Sequence, residues 1–273
     1  MDSIRFRLRI YVTILIVVMI ISTFTFMKVE GLNFLDAFYF SIVTIATVGY
    51  GDVHATTTAG KLVAIWLIII GVGTFLGVVA NATEIMLTRR ENQARMKKMN
   101  MLIGVFFSEV GTTLMTMFSD HDPNLEQIRS HLMVTNDWSD QHFMQVSTTL
   151  KSYQYSINIH TCRLDHLKEL LLQKRTSMVR LLENPLLIEH ESFTDLLRAA
   201  FHLAEELAFR DDLNNLPDAD TNHLSGDIKR VYRQLVHQWL DYLHYQKEHY
   251  PFLFSLSMRT NPFDKKASPV FQG

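Results

Sequence analysis

A single cysteine, Cys162, leaves no intrachain disulfide to form and suits a reducing compartment. None of the six prolines precedes Pro123, so the early chain is free to build long unbroken helices. Long stretches of period-two alternation are missing, which argues against a β-rich regulatory module. No Gly-x-Gly-x-x-Gly follows a strand pattern, which argues against a nucleotide-binding α/β fold. No nucleophile–base pair or paired-carboxylate arrangement stands out, so nothing points to an enzyme. Internal repeats and low-complexity segments are missing too.

What is present is apolar and unevenly charged. The 273 residues leave room for about two units, and 48% hydrophobic residues fit a chain that is part membrane, part soluble. Residues 1–100 carry 10 Lys/Arg against 6 Asp/Glu, whereas residues 101–273 carry 16 against 22. The acidic second part does not suit a nucleic-acid binder. Two apolar runs, 10–27 and 62–83, reach the length needed to span hydrocarbon. A cleaved signal peptide is the alternative for the first, but no small-x-small cleavage site follows it. Arg5, Arg7 and Arg9 precede the first run; Arg89, Arg90, Arg95, Lys97 and Lys98 follow the second. Only Lys28 and Lys61 lie between, so both termini are expected in the cytoplasm and the connecting loop on the far side of a plasma (inner) membrane. The basic residues beyond the second run also suit anionic lipid headgroups.

Between the runs, Asn33 is placed to cap a short helix over 34–46, rich in aromatic rings. Such a helix can re-enter the bilayer if it is buried in protein or lines water, its C-terminal carbonyls favouring a nearby cation. Thr47-Val48-Gly49-Tyr50-Gly51-Asp52 follows directly. Glycine tolerates the positive-φ backbone that lets successive carbonyls point one way. Val48 and Tyr50 then turn away and wedge the loop.

This string, set between two membrane-length segments, resembles the filter of the two-transmembrane-helix potassium channels of prokaryotes, and the resemblance covers roughly residues 10–88. In such a filter, carbonyl oxygens replace the water that K⁺ sheds. The resemblance implies that the carbonyls of Thr47, Val48, Gly49 and Tyr50, with the Thr47 hydroxyl, bind the ion, and that Gly51 completes the loop. One copy cannot encircle an ion; the resemblance implies a homotetramer about a cyclic axis, with K⁺ as permeant ion and no cofactor. Asp52 at the outer mouth either concentrates cations or braces the filter through Tyr39. His54, two residues on, would repel cations when protonated.

Gly60-Lys61-Leu62-Val63-Ala64 and Gly71-Val72-Gly73-Thr74-Phe75 resemble the inner helix of the same channels. Gly71 matches the hinge position of that family, with close helix packing as the alternative, whereas Gly73 and Gly77 read as packing positions. Val72, Phe75, Val79 and Thr83 form a stripe at helical spacing that the family pattern points at the conduction path. Val79 and Thr83 are the candidate constriction. Glu84 is read as an interfacial charge, with a cation-concentrating ring as its alternative. No span carries regularly spaced arginines, so a voltage sensor of that type is absent.

Beyond residue 88 the resemblance ends and helical periodicity takes over. Apolar residues at 99, 102, 103, 106, 110, 114 and 117 face a small polar stripe of Asn100, Gly104, Ser108 and Thr112. A third span is the alternative, opposed by Glu109 and the threonines. Further helices are expected near 124–134, 139–156, 163–183, 192–210 and 221–249, with Ser192 opening one, Asn184-Pro185 stopping another, and 211–223 as a linker. His237, Asp241, His244 and Glu248 share one helix face and are weak metal candidates; His202 with Glu205 and Glu206 is weaker. Tyr232, Trp239, Tyr242, Tyr245, Tyr250, Phe252 and Phe254 read as core or subunit contact, with a ligand pocket as alternative.

The resulting expectation is an all-α membrane protein: a pore domain (1–88) of two transmembrane helices with a re-entrant helix and filter loop, a connector helix (89–122) and a cytoplasmic helical bundle (123–273). It would conduct K⁺, gate at the inner helix, and use the bundle to assemble the channel or to sense an unidentified cytoplasmic ligand. The alternatives are a membrane-anchored docking protein and a weakly selective monovalent cation channel.

Overall fold

Helix α1 (Asp2–Val29) begins the computed structural model, which describes residues 2–270 and contains no strand among them. It is followed by α2 (Phe34–Ile45), α3 (Thr58–Leu67), a wide π-helical turn (Ile68–Val72) and α4 (Gly73–Phe106). Two helical stretches are long and apolar enough to cross a membrane, Ser3–Val29 and one beginning at Thr58. The protein is an all-α membrane protein.

The chain divides into two compact units, Met1–Ala94 and Arg95–Gly273. This differs from the expected three-part division, and packing is the reason. Met99, Ile103, Phe106, Val110, Leu114 and Phe118, expected on a separate connector, are buried in the core of the second unit.

In the first unit α1 runs antiparallel to the helix that starts at α3. Glu30, just past the end of α1, bonds Thr57 at the start of α3, while Arg7 near the other end lies 3.5 Å from Glu84. The small α2 packs between them. Asn33 caps it as expected, its side chain accepting from the Asp36 amide at 2.9 Å. Its buried Ser41 meets Ser22 of α1 at 2.9 Å, and Phe40 meets Phe26 edge-on at 4.8 Å. Val18, Phe26, Ala37, Ile45 and Leu67 form a small core.

The second unit continues with a second π-helical turn (Phe107–Gly111), α5 (Thr112–Ser119), α6 (Glu126–Arg129), a single 3₁₀ turn (Ser130–Leu132) and α7 (Asp140–Ser152). Then come α8 (Leu164–Gln173), α9 (Arg175–Leu182), α10 (Pro185–Ile188), α11 (Glu191–Ala208), α12 (Asp218–His249) and α13 (Pro251–Arg259). The helix expected over 163–183 is broken at Lys174, which caps both halves at φ −90°, ψ 1°. Capping of α11 falls to His190 instead of Ser192: its Nδ1 accepts the Phe193 amide at 3.2 Å. Asn184-Pro185 does follow the end of α9, and it also starts α10, with Asn184 as the cap and Pro185 in the first turn. The expected linker over 211–223 is shorter, because α12 already starts at Asp218. Acidic Asp218 and Asp220 in its first turn complement the positive helix end.

Candidate functional site

The loop after α2 has the backbone that its glycines suggest. Gly49 (φ 56°) and Gly51 (φ 80°) are left-handed, and so is Thr47 (φ 60°), the one non-glycine with positive φ among the described residues. The sign of φ therefore alternates along 47–51. The amides are drawn back toward α2. Thr47 N donates to Thr44 O at 3.1 Å, and the carbonyl of Val43 accepts both Val48 N (3.0 Å) and Gly49 N (3.3 Å). Among the described residues, no carbonyl from Thr47 to Gly51 accepts a hydrogen bond. Such a row of main-chain oxygens suits a dehydrated cation. Within one chain, Val48 (51%) and Tyr50 (72%) are left largely exposed.

Asp52 is tied to Tyr39, whose hydroxyl donates to its Oδ2 at 2.9 Å, the bracing arrangement of the two considered. His54 is exposed. A residue absent from the sequence-based candidates, Glu30, organises the same end of the unit. Its two carboxylate oxygens accept from the amides of Thr56 and Thr57 (3.1 and 3.0 Å) and from both hydroxyls (2.7 Å each). Those hydroxyl bonds hold the Glu30 carboxyl down at about 2. Thr57 in turn caps α3 by accepting from Gly60 N at 2.9 Å. A Cβ on Gly60 would stand 1.7 Å from Glu30 Oε1, so this glycine makes room for the carboxylate. An acid facing Thr56-Thr57-Thr58 was the available signal.

Gly71 lies inside the wide π-helical turn, a feature that often marks functional positions. A Cβ there would come within 2.8 Å of Ile45 Cγ1, and one on Gly77 within 2.8 Å of Tyr11. Both glycines therefore permit close helix approach. A Cβ on Gly73 would meet nothing within 4 Å among the described residues, so it is not a packing position there. Along the proposed stripe, Val72 and Phe75 are half-buried, Phe75 against the unit's own core, whereas Val79 and Thr83 are exposed. Glu84 faces Arg7 across 3.5 Å, both side chains about half exposed, a pair worth little.

In the second unit the expected metal face does not converge. His244 Nε2 is 2.9 Å from Asp140 and its ring stacks on Phe143, while His237 faces Tyr155. Tyr232, Trp239 and Phe254 are core residues, whereas Phe252 is 92% exposed. The polar stripe of Asn100, Gly104, Ser108 and Thr112 lines a groove of about 460 Å³ with Tyr242 and Tyr245. Tyr153 donates to Asp122 at 2.6 Å, and burial raises the Asp122 carboxyl above its ordinary value. Burial also pushes the Cys162 thiol up to about 11, which makes it an inert core residue.

Residues 13–88 match the family described as "Ion channel", and residues 95–259 match the one described as "Uncharacterized protein MJ1433, C-terminal helical domain". The chain is 45% identical over 184 residues to "Uncharacterized protein MJ1433" of Methanocaldococcus jannaschii, covering 67% of this chain and 74% of that protein. It is 33% identical over 102 residues to "Potassium channel protein 1" of the same organism, covering 34% of this chain and 31% of that one. A third relative from that organism, "Hyperpolarization-activated voltage-gated potassium channel", is 39% identical over 64 residues, 22% of this chain and 31% of that one. The chain thus spans about a third of the length of these two channels. The second unit lies almost wholly inside one matched region and the loop of Thr47–Gly51 inside the other, so the chain belongs to the MJ1433 family of C-terminal helical domain proteins and carries an ion-channel domain ahead of that domain.

Proposed function

We propose that the protein is a potassium-selective channel of the plasma membrane. It is a homotetramer with both termini cytoplasmic. Thr47, Val48, Gly49 and Tyr50 supply the ion-binding carbonyls. The observation carrying this reading is the alternation in the sign of φ over 47–51 with the amides of Thr47, Val48 and Gly49 committed to Val43 and Thr44. Oxygens with no protein partner are what a cation needs in place of water. Four copies about an axis close the ring, and the exposed Val48 and Tyr50 then meet a neighbouring copy. The similarity to two potassium channels of M. jannaschii supports the choice of ion.

Asp52 and Tyr39 hold the outer end, and His54 stands at the entrance. Opening splays the inner helices about Gly71, with Val79 and Thr83 as the constriction. The second unit assembles or regulates the pore. Any ligand that biases the gate must bind its two states unequally, and the gate then changes that affinity by the same factor. Purified protein in liposomes tests the reading. K⁺ flux with Na⁺ excluded is expected; equal flux of the two ions marks a weakly selective pore, and no flux under any condition marks a membrane anchor.

A further inference from the structure

Two pairs of ligand-type residues, each spaced by four, face one another across α11 and α12. His202 and Glu206 lie one turn apart on α11; His223 and Asp227 lie one turn apart on α12. His202, His223 and Asp227 each place a ligand atom within 4.8 Å of the others. His202 Nε2 stands 3.6 Å from Asp227 Oδ2, and His223 Nε2 stands 3.4 Å from the same oxygen. Glu206 closes the ring, with Oε1 3.8 Å from His202 Nε2 and Oε2 3.6 Å from His223 Nε2.

These separations decide between two explanations. They are too long for good hydrogen bonds, whose N···O distance runs about 2.7–3.2 Å. They come close to the edges of a coordination tetrahedron, since metal–ligand bonds of about 2.0–2.1 Å set the ligand atoms about 3.3–3.4 Å apart: His223 and Asp227 stand at 3.4 Å, and the other pairs at 3.6–3.8 Å need only a small side-chain adjustment. A second observation comes from Asp227. The residue is 3% exposed, yet its Oδ2, which lies toward both imidazoles, has no hydrogen-bond partner among the described residues. An unpaired buried carboxylate oxygen is costly, and a cation removes that cost. Its other oxygen is occupied by Arg230 at 3.2 Å. Arg210 takes Glu206 Oε2 at 2.7 Å and leaves Oε1 for the ion. Arg210 also grips Asp220 through Oδ1 (2.5 Å) and Oδ2 (2.7 Å), which fixes the turn joining the two helices.

We infer that His202, His223 and Asp227 form a site for a first-row divalent transition ion such as zinc, with Glu206 Oε1 or water as fourth ligand. Two imidazoles and a carboxylate select a borderline ion over Mg²⁺ or Ca²⁺, which prefer all-oxygen shells. The ion staples α11 to α12 across the 209–217 turn. The inference is independent of the channel reading, since it concerns a site inside the second unit alone.

The test uses full-length, tag-free protein in detergent, stripped with chelator and dialysed. Zinc binding is measured by calorimetry and by metal content, and Co²⁺ is used as a visible-absorption probe of tetrahedral coordination. One zinc per chain is expected, with a thermal midpoint raised by zinc and unmoved by Mg²⁺. His202→Ala, His223→Ala and Asp227→Asn each lower the affinity at least about tenfold, the least that even outer-shell partners carry. Glu183→Gln, an exposed acid of the same unit outside the cluster, leaves binding unchanged. The histidines are largely exposed (side chains 45% and 52%), so their variants retain helicity and decide the matter even if Asp227→Asn fails to fold. Zinc bound as tightly by His223→Ala as by the unaltered chain, or no stoichiometric zinc at all, overturns the inference.

Discussion

The two units solve opposite packing problems. In Arg95–Gly273 the large apolar side chains point inward: Phe106, Phe118, Phe193, Leu203 and Tyr232 are fully buried. In Met1–Ala94 the small core is surrounded by exposed Ile20, Phe24, Ile65, Ile69 and Leu76. Several hydroxyls of the first unit's longer helices turn back onto their own helix. Thr13, Thr23, Thr25 and Thr74 donate to the carbonyls of Arg9, Met19, Ile21 and Ile70. A polar group that satisfies itself needs no water, which is what hydrocarbon demands. One unit is thus organised by the hydrophobic effect, the other by the saturation of polar groups in a medium without water.

The sharpest way to break that contrast is Gly49→Ala. Among the described residues of its own chain no atom lies within 4 Å of the new Cβ, so the cost inside the chain comes from the left-handed backbone, at about 1–2 kcal/mol per copy. Loss of K⁺/Na⁺ discrimination in liposome flux is expected; an unchanged permeability ratio refutes the filter assignment. On the other side, residues 95–273 expressed alone should fold, because their core is their own. Phe193→Ala in that fragment should cost about 3–5 kcal/mol, read by urea unfolding, since Phe193 is fully buried and edge-on to Phe106 at 5.3 Å. A loss under about 1 kcal/mol would mean that this core does not sustain the unit.

Acid probes the first unit more gently. The Glu30 carboxyl is depressed from 4.5 to about 2 in the folded chain, so the stability it contributes is present above pH 4.5 and is lost as pH falls toward 2. The thermal midpoint of the full chain in detergent should fall over that window, and Glu30→Gln should flatten the dependence. Identical acid profiles for the two proteins would remove Glu30 from the account. The smallest effect is expected from Tyr39→Phe, which deletes one exposed hydrogen bond to Asp52. About 1 kcal/mol or less should be lost, with K⁺ still favoured over Na⁺. Abolished flux in that variant would give Asp52 a larger part than bracing.

The first unit was the more legible because its constraints are local. Apolar runs, the Asn33 cap and the residues following α2 all declare themselves within a few positions. Glu30 is harder to read because its partners lie 26 and 27 residues away, so the acid and the threonine run that signal the contact are not neighbours in sequence. In the second unit periodicity located the long helices, but their ends depended on tertiary contacts. Helix α13 was hidden because Tyr250-Pro251 looks like a terminus, whereas Pro251 occupies the first turn of a new helix. The turn-rich composition of 211–223 reads as a linker, which hides the pairing of His223 with His202 on a helix that begins at Asp218. Side chains on different helices meet through packing, which no spacing rule encodes.

The contact of Gly71 with Ile45 has a mechanical consequence. Ile45 is the last residue of α2, two positions before the loop that begins at Thr47, and it seats directly on the turn where the longer helix widens. Rotation at that turn must push on, or withdraw support from, the platform beneath Thr47. Movement of the longer helix at that turn would therefore load α2 through the Ile45 side chain, whose volume sets how closely the two helices are geared together.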